Sequence, residues 1–207
     1  MDTNSQKEDA ESVLQLIVAT GNLHKIREFR ELMGPGFEIQ DIGSIAGIAM
    51  PEETGSTFEQ NAALKALHVS KFTKDFVVAD DSGLEVDALN GAPGIYSARY
   101  AGDDAKDVAN VEKLLRQLRD ATQRSARFRC VIAIAKAGQV LGTVGGIVEG
   151  TITGQPRGDR GFGYDPVFQP HGFTETFAEM TPASKNKISH RAKAVAALRE
   201  KLRQIAD

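Results

Sequence analysis

Short apolar runs, separated by amphipathic stretches, constrain the fold of this chain more than any other feature of its sequence. Leu16–Ala19 and Phe76–Ala79 have the length and composition of buried strands. Between such runs, apolar residues recur at the spacing of one helical face. Strands that alternate with helices are typical of α/β proteins, in which helices cover the faces of a sheet. We therefore predict an α/β fold.

The same patterns give the order of the elements. Strands are predicted over Leu16–Ala19, Phe37–Ile42, Phe76–Ala79, Arg127–Lys136 and Gln139–Ile152. Helices are predicted over Leu23–Met33, from Ser56 or Thr57, from Asp103 or Asp104, and over Ser189–Ile205. Ser56 and Glu59 have the spacing of a capping box at the start of the second helix. The apolar stripe of the third helix comprises Val108, Val111, Leu114, Leu115 and Leu118.

Composition and charge limit the possible partners. The chain has 207 residues and a formal net charge of −3, so no long-range field draws it to nucleic acid or to an anionic membrane. A polyanionic ligand therefore needs local help from particular Lys, Arg and backbone N–H groups. The single cysteine, Cys130, excludes an internal disulfide and a multi-cysteine metal site.

The organisation of the chain is that of one domain after a polar extension. No apolar run approaches the roughly 18 residues of a spanning helix, and the N-terminus has no apolar signal segment. We expect residues 1–14 to be a disordered extension, residues 15–207 to form one domain, and the protein to be cytoplasmic.

Thr20-Gly21-Asn22 and Lys25 lie between the first strand and the first helix. A strand end, a glycine turn and a helix start bring backbone N–H groups and the positive end of a helix dipole to one point. With a hydroxyl, an amide and an ammonium added, the segment can cradle phosphate oxygens. The alternative is a capped helix with a surface lysine. The glycine spacing of a P-loop is absent.

Asp80-Asp81-Ser82-Gly83 follows a buried apolar run directly. Two adjacent carboxylates repel each other unless a cation or a proton relieves them. Mg²⁺ prefers oxygen ligands and binds through one or two carboxylates together with phosphates and water. Because side chains alternate along a strand, one Asp can ligate the metal while the other orients or deprotonates water. The alternative is a turn at the end of the strand.

Three further segments are candidates for ligand contacts. Asn61 and Lys65, four residues apart, share a helix face near Glu53 and can hold a phosphate or form a solvated surface. The loop 160–166 places Phe162 and Tyr164 among glycines, which suits a stacking platform or a hairpin with a buried Phe. The segment 184–191 is cationic, although acidic residues are usually preferred at a helix start. This indicates a bound anion or side chains that donate hydrogen bonds to carbonyl oxygens of a ligand.

In this order, these segments resemble the inosine triphosphate pyrophosphatase family, also called the Ham1 family. The resemblance spans roughly Leu16 to Arg191. It rests on Thr20-Gly21-Asn22-x-x-Lys25, Glu52-Glu53-Thr54-Gly55 with Phe58, Asn61 and Lys65, Ala79-Asp80-Asp81-Ser82-Gly83-Leu84, Gly91-Ala92-Pro93-Gly94-Ile95-Tyr96-Ser97-Ala98-Arg99, Gly161-Phe162-Gly163-Tyr164-Asp165-Pro166 and Ser189-His190-Arg191. It implies a two-lobed homodimer in which a long mixed sheet flanked by helices forms the floor of a cleft.

The resemblance also implies an activity and a set of site residues. The activity is Mg²⁺-dependent hydrolysis of ITP, dITP and XTP to the monophosphate and pyrophosphate, which removes deaminated purines from the nucleotide pool. Asp81 is implied as the proton acceptor, with Asp80 in support. Glu53 and Asp81 are implied to lie on the side of the site that holds Mg²⁺. The implied substrate contacts are Thr20, Gly21, Asn22, Lys25, Lys65 and Ser82 near the phosphates, Phe162, Gly163, Tyr164 and Asp165 at the stacking wall, and Lys185, His190 and Arg191 at the base edge.

The expected reaction is attack of water on the α-phosphorus with pyrophosphate leaving, which needs no nucleophilic serine or cysteine. Selectivity is expected from donors aimed at the six-position oxygen of hypoxanthine or xanthine, because the amino group of adenine leaves such donors unpaired. Three alternatives remain: a Maf-like pyrophosphatase for pyrimidine or modified nucleotides, a non-catalytic nucleotide sensor, and a nucleic-acid-binding module. The acidic balance argues against the last.

Overall fold

A mixed six-stranded sheet forms the centre of the computed structural model, which describes residues 13–45 and 47–206. The strands are β1 Leu14–Val18, β2 Phe37–Asp41, β3 Phe76–Val86, β4 Ser125–Lys136, β5 Gln139–Ile152 and β6 Phe168–Pro170. Their order in the sheet is β2-β1-β3-β4-β5-β6. β1 is parallel to β2 and β3, whereas each neighbouring pair from β3 to β6 is antiparallel. The predicted α/β class and mixed sheet are confirmed.

Five α-helices pack around this sheet in the described part of the chain. They are α1 Leu23–Met33, α2 Phe58–Ser70, α3 Asp107–Gln117, α4 Pro182–Ile188 and α5 His190–Ala206. Alternate residues of the strands face opposite helices, as the pleat requires. Val78 packs in one cluster with side chains of α1 and α5, and Val77 packs in another with side chains of α2. The two faces of β3 therefore belong to different layers.

A third apolar cluster defines a second lobe. It joins the distal part of β3, with Leu84 and Val86, to α3 and to the segment around Phe168 and Phe177. Gly83 lies where this lobe meets the first, and a Cβ on it would be 2.4 Å from the Gly94 carbonyl oxygen. The absence of a side chain therefore lets the 3-10 turn at Gly94–Arg99 approach β3 closely.

The sequence predicted that β3 ends at Ala79, and this prediction is wrong. β3 continues to Val86, and β4 pairs with it from Val77 to Val86. Asp80 and Asp81 therefore lie inside a strand rather than in a turn after it. The backbone hydrogen bonds to β4 outweigh the turn preference of the Asp-Asp-Ser-Gly sequence, since strand formation depends strongly on tertiary context.

The start of α2 agrees with the prediction but its capping differs, and the start of α3 differs from the prediction. The N-cap of α2 is Thr57, whose side chain accepts a hydrogen bond from the Gln60 amide, so the predicted capping box at Ser56 and Glu59 is wrong. α3 begins at Asp107, and Lys106 occupies its cap position without a side-chain hydrogen bond. Neither Asp103 nor Asp104 is the cap.

A short strand and a short α-helix escaped the sequence analysis, and one residue of the predicted apolar stripe is on the surface. β6 has three residues and α4 has seven, too few to show a periodic apolar pattern. Lys185 consequently lies on α4 rather than at the start of the last helix. Val108 is 67% exposed, whereas Val111 and Leu114 are buried.

No helix among residues 13–45 and 47–206 has both the length and the apolar character needed to cross a bilayer. The predicted N-terminal extension, residues 1–14, lies almost wholly outside the described residues.

Candidate active site

The cleft between the lobes opens where β1 ends and β3 continues. β1 pairs with β3 only from Phe76 to Val78, and Ala19 then donates a last hydrogen bond to the Val78 carbonyl. The next residues of β3, from Asp80 to Gly83, thus lie beside the loop that leads into α1. Ligands in α/β folds gather at such strand ends. The cavity has a volume of about 430 Å³.

Fifteen of the sixteen site residues predicted from the sequence line this cavity. Its lining includes Thr20, Gly21, Asn22, Lys25, Glu53, Lys65, Asp81, Ser82, Phe162, Gly163, Tyr164, Asp165, Lys185, His190 and Arg191. The exception is Asp80, which is fully buried behind the cavity. Segments that are far apart in the sequence therefore meet at one place.

The loop after β1 forms the N-terminus of α1 through its own side chains. The Asn22 side-chain oxygen accepts hydrogen bonds from the His24 and Lys25 amides at 2.9 and 3.2 Å. The Thr20 hydroxyl accepts one from the Asn22 amide at 3.2 Å. The capped-helix interpretation is thus correct, but Lys25 is not a surface lysine, since its ammonium lies 3.0 Å from Asp80 in the cleft. A helix N-terminus and a cation converge here.

Asp80 faces the side of the sheet that α1 and α5 cover. Its Oδ2 atom lies 3.0 Å from the Lys25 ammonium and 3.1 Å from the Arg191 guanidinium, and it accepts a hydrogen bond from the Ser82 hydroxyl. Burial alone would raise the pKa of Asp80, but Lys25, Arg191 and Lys65 together hold it well below its ordinary value. Asp80 is therefore a permanent anion that orients two cations.

Asp81 faces the opposite side, towards α2. Its Oδ2 accepts a hydrogen bond from the Asn61 side chain at 3.0 Å, and its Oδ1 accepts one from the Ser82 amide and lies 3.9 Å from the Lys65 ammonium. Burial raises the pKa of Asp81, Lys65 lowers it and the charge of Glu53 raises it again, with a net rise. Asp81 is therefore a better proton acceptor than an ordinary Asp.

Glu53 shares Lys65 with Asp81. The Lys65 ammonium lies 2.5 Å from Glu53, and Arg99 approaches the same carboxylate to 3.5 Å. Burial raises the pKa of Glu53, but Lys65, Lys25 and Arg99 reverse this effect and leave the pKa below its ordinary value. The ionised Glu53 thus lies beside the more basic Asp81.

The donor chemistry on this side fits magnesium. The described residues contain no cluster of three or more His, Cys, Asp or Glu side chains able to hold a metal ion. Glu53 and Asp81 instead offer carboxylate oxygens on one side of an open cleft. Mg²⁺ is typically held by one or two carboxylates together with substrate phosphates and water. A site completed by a phosphate ligand therefore matches these two residues.

At the other end of the cleft, the loop that contains Phe162 forms an aromatic wall. The Phe162 amide donates to Asp165 at 3.0 Å, and the buried Tyr164 donates its hydroxyl to the Ser97 carbonyl at 2.9 Å. The Phe162 ring is partly exposed and stacks on His24 of α1, with centroids 5.2 Å apart. Tyr164 and Asp165 therefore fix the loop, and Phe162 presents its ring.

Lys185, His190 and Arg191 lie beside this ring. Lys185 and Arg191 lie 5.1 and 5.8 Å from the Phe162 centroid. His190 stacks on Phe128 at 4.7 Å, and its buried Nδ1 has no hydrogen-bond partner within the described residues. Burial, together with Arg191 and Lys185, keeps the pKa of His190 well below its ordinary value, so the imidazole is neutral.

Glu28 is the principal residue of the site that the sequence analysis missed. It accepts a hydrogen bond from Lys185 at 3.0 Å and another from Arg191. The available signal was its spacing: Glu28 follows Lys25 by three residues and His24 by four, so the three share one face of α1. Asp107 and Asn110, which also line the cleft, were missed as well.

Comparisons with known proteins show the family of the chain. The model of the Ham1 family matches residues 16–201. The dITP/XTP pyrophosphatase of Bacillus licheniformis is 51% identical over 184 residues, which cover 87% of this chain and 94% of the relative. The dITP/XTP pyrophosphatase of Bacillus subtilis is 48% identical, with 87% and 93% covered.

Solved structures show the same likeness. A Ham1 protein from Staphylococcus aureus superposes with a TM-score of 0.83 at 42% identity, covering 92% of this chain and 98% of the other. A HAM1 protein from Coxiella burnetii gives a TM-score of 0.84 at 41% identity, covering 92% and 99%.

Proposed function

Because the chain belongs to the Ham1 family, we propose that it is a magnesium-dependent pyrophosphatase for non-standard purine nucleoside triphosphates. Its substrates are dITP, XTP and ITP, and its products are the nucleoside monophosphate and pyrophosphate. One observation carries the proposal: the carboxylates of Glu53 and Asp81, the cations Lys25 and Lys65, and the Phe162 ring open on the same cleft. Relatives that are about half identical to this chain are named dITP/XTP pyrophosphatases.

Asp81 accepts the proton in this reaction. A water molecule attacks the α-phosphorus, the bond from that phosphorus to the bridging oxygen breaks, and pyrophosphate leaves. The water proton goes to the Asp81 carboxylate, which Asn61 orients through a hydrogen bond of 3.0 Å. In the metal-free protein, partial burial and the charge of Glu53 make that carboxylate more basic than usual.

Lys25, Lys65 and the N-terminus of α1 bind the phosphate chain. The two ammonium groups are already neutralised in the protein, Lys25 by Asp80 and Lys65 by Glu53. Their positions are thus fixed before a ligand arrives, and prepositioned charge is the main source of electrostatic catalysis. When bound at Glu53 and Asp81, Mg²⁺ would supply charge neutralisation and a Lewis acid for the phosphoryl oxygens.

Phe162, Lys185, His190 and Arg191 select the base. The ring offers a stacking face, and the neutral His190 beside two cations offers hydrogen-bond capacity in a buried setting. Donors placed at the six-position oxygen of a deaminated purine are satisfied by it, whereas the amino group of adenine leaves them unpaired. A buried donor without a partner is costly, and such sites discriminate strongly.

A turnover screen tests the proposal directly. The purified chain is incubated with dITP, XTP, ITP, dATP, dGTP, UTP and CTP, with and without Mg²⁺, and products are identified by ³¹P NMR. We expect pyrophosphate and monophosphate from the first three, only when Mg²⁺ is present. Preference for UTP or CTP would instead indicate a Maf-like enzyme, and binding without turnover a nucleotide sensor. Asp81→Asn serves as the inactive control.

A further inference from the structure

The first turn of α3 directs a carboxylate at the aromatic wall rather than at its own backbone. The Asp107 Oδ2 atom accepts a hydrogen bond of 2.6 Å from the Gly163 amide, across 56 residues of sequence. The cap position of α3, Lys106, provides no side-chain hydrogen bond. Asp107 also lines the cleft. An acid in this first turn thus serves the loop that carries Phe162.

That loop needs external support because of its backbone. Gly161 and Gly163, on either side of Phe162, have φ values of +76° and +63°. Glycine reaches this left-handed region at no steric cost, but it also reaches many other conformations. Two carboxylates select one of them: Asp165 accepts from the Phe162 amide at 3.0 Å, and Asp107 accepts from the Gly163 amide. The place of the ring therefore depends on both acids.

Asp107 is itself held on a fixed support. One turn further along α3, the buried Asn110 accepts a hydrogen bond from the Ala101 amide at 2.7 Å and donates one to the Ala98 carbonyl at 3.1 Å. Val111 and Leu114, on the inner side of the helix, belong to the apolar cluster of the second lobe. α3 is thus anchored to the protein, so Asp107 can fix the loop rather than move with it.

We propose that Asp107 is a positioning residue for the base-stacking ring, acting through the Gly163 amide. The proposal rests on the function proposed above, because it assigns Asp107 to the nucleotide's base rather than to its phosphates. The proposed phosphate contacts Lys25 and Lys65 lie on α1 and α2, whereas Asp107 accepts its hydrogen bond from the loop of the aromatic wall. Removing it should therefore weaken nucleotide binding and leave the chemical step intact.

Three variants test the proposal: Asp107→Ala, Asp107→Asn and, as a control with the same loss of charge, Asp104→Ala at an exposed position just before α3. For each, kcat and KM are measured with dITP, the inhibition constant is measured with inorganic pyrophosphate, and solvent exchange of the Gly163 amide is measured by NMR. Asparagine keeps an acceptor oxygen, whereas alanine does not.

For Asp107→Ala we expect KM to rise about tenfold, with kcat within a factor of about two, unchanged inhibition by pyrophosphate and faster exchange at Gly163. Asp107→Asn should recover most of the KM and the exchange protection, and Asp104→Ala should behave as the wild type. An Asp107→Ala protein with wild-type KM and wild-type exchange overturns the proposal, and so does an Asn variant as impaired as the Ala variant.

The exchange measurement separates this inference from the proposed function. If the wild type does not hydrolyse dITP, the proposed function fails, while the exchange rate at Gly163 still reports whether Asp107 fixes the loop. If the Ala variant does not fold, Asp107→Ser, which keeps a residue suited to a helix start but is too short for the contact, takes its place. A role confined to stabilising α3 would lower stability without raising KM.

Discussion

Asp80 and Asp81 are consecutive residues of one strand, yet they belong to two charge clusters on opposite faces of β3. On the face covered by α1 and α5, Asp80 joins Lys25, Arg191 and Glu28 in what we call the α1–α5 cluster. On the other face, Asp81 joins Glu53 and Lys65 in the α2 cluster. The two clusters shift the pKa values of these two aspartates in opposite directions.

The α1–α5 cluster is closed, in that its buried aspartate is tightly paired with cations, whereas the α2 cluster is open, in that its aspartate is only loosely paired. Asp80 has two cations within 3.1 Å, and its pKa lies far below the ordinary range. Asp81 has one cation at 3.9 Å, which it shares with a closer carboxylate, and its pKa is raised. The comparison shows how a pleated strand can place a strongly acidic carboxylate and a more basic one side by side.

The largest effect we expect is from Asp81→Asn, which removes the proposed proton acceptor. The change should lower kcat for dITP by about a thousandfold, because a positioned general base typically contributes to that extent. It should change the free energy of unfolding by no more than about 1 kcal/mol. A raised pKa in the folded state means that the charged Asp81 destabilises the fold at neutral pH, and removing this charge offsets the loss of one of the two oxygens that accept hydrogen bonds from Asn61 and Ser82.

Steady-state kinetics and urea unfolding of the purified variant at neutral pH check both halves of this prediction. A turnover close to that of the wild type would show that Asp81 is not the proton acceptor. A large loss of stability would show that the α2 cluster is as tightly coupled as the α1–α5 cluster, and the contrast between the two faces would disappear.

Asp80→Asn should lower the free energy of unfolding more than Asp81→Asn does, and kcat less. Its removal leaves Arg191, which is buried, with Glu28 as its remaining charged partner, and breaking a buried ion pair typically costs about 3–5 kcal/mol. We expect a loss of that size in urea unfolding at neutral pH, with a smaller effect on kcat than Asp81→Asn produces. A loss below about 1 kcal/mol would mean that the closed cluster contributes little to stability.

The pH dependence of stability follows from the same carboxylate. The pKa of Asp80 is lowered in the folded protein, so its contribution is present above the unfolded-state value of about 3.9 and is lost as pH falls through the folded-state value. For the wild type, urea unfolding between about pH 5 and pH 2 should show this loss. Asp80→Asn should flatten the curve in that window.

The sequence predicted which residues line the cleft, and the alternation of Asp80 and Asp81, better than it predicted the ion pairs between distant segments. Thr20, Lys25, Asp81 and Phe162 were identifiable because turn glycines and strand ends mark places where a chain meets a ligand. The role of Glu28 was not, because a carboxylate on a helix looks like ordinary surface until α4 and α5 are packed against it. Pairings such as Glu28 with Lys185, 157 residues apart, depend on tertiary structure alone.

The same limit explains the errors in the fold. The end of β3 was misplaced because pairing with β4, which begins at Ser125, decides where that strand stops. The start of α3 was misplaced because Asp103 and Asp104 have the side chains of a helix cap, whereas the helix begins at Asp107 after Lys106, which forms no side-chain cap. Long elements with clear periodicity, such as α1 and β5, were predicted with their observed bounds.

Glu28→Gln tests whether the closed cluster also serves base binding. The variant keeps the shape of the side chain but removes the charge that holds Lys185 and Arg191. We expect a loss of about 2 kcal/mol in the free energy of unfolding, typical of hydrogen bonds to charged groups, and a rise in KM for dITP of about tenfold. Arg27→Gln, an exposed neighbour on α1, is the control. An unchanged KM would show that Glu28 contributes to stability but not to base binding.

The smallest effect should come from Glu53→Gln in the metal-free protein, and it tests whether the open cluster is coupled at all. The Glu53 charge raises the pKa of Asp81, and Glu53 also draws Lys65 to 2.5 Å, away from Asp81. Both influences weaken in the variant, so the pKa of Asp81 should fall, as followed by ¹³C NMR of its carboxyl carbon. Glu59→Gln, at an exposed position of α2, is the matched control. An unchanged pKa would mean that burial alone makes Asp81 basic, and the α2 cluster would then be two independent carboxylates rather than a coupled pair.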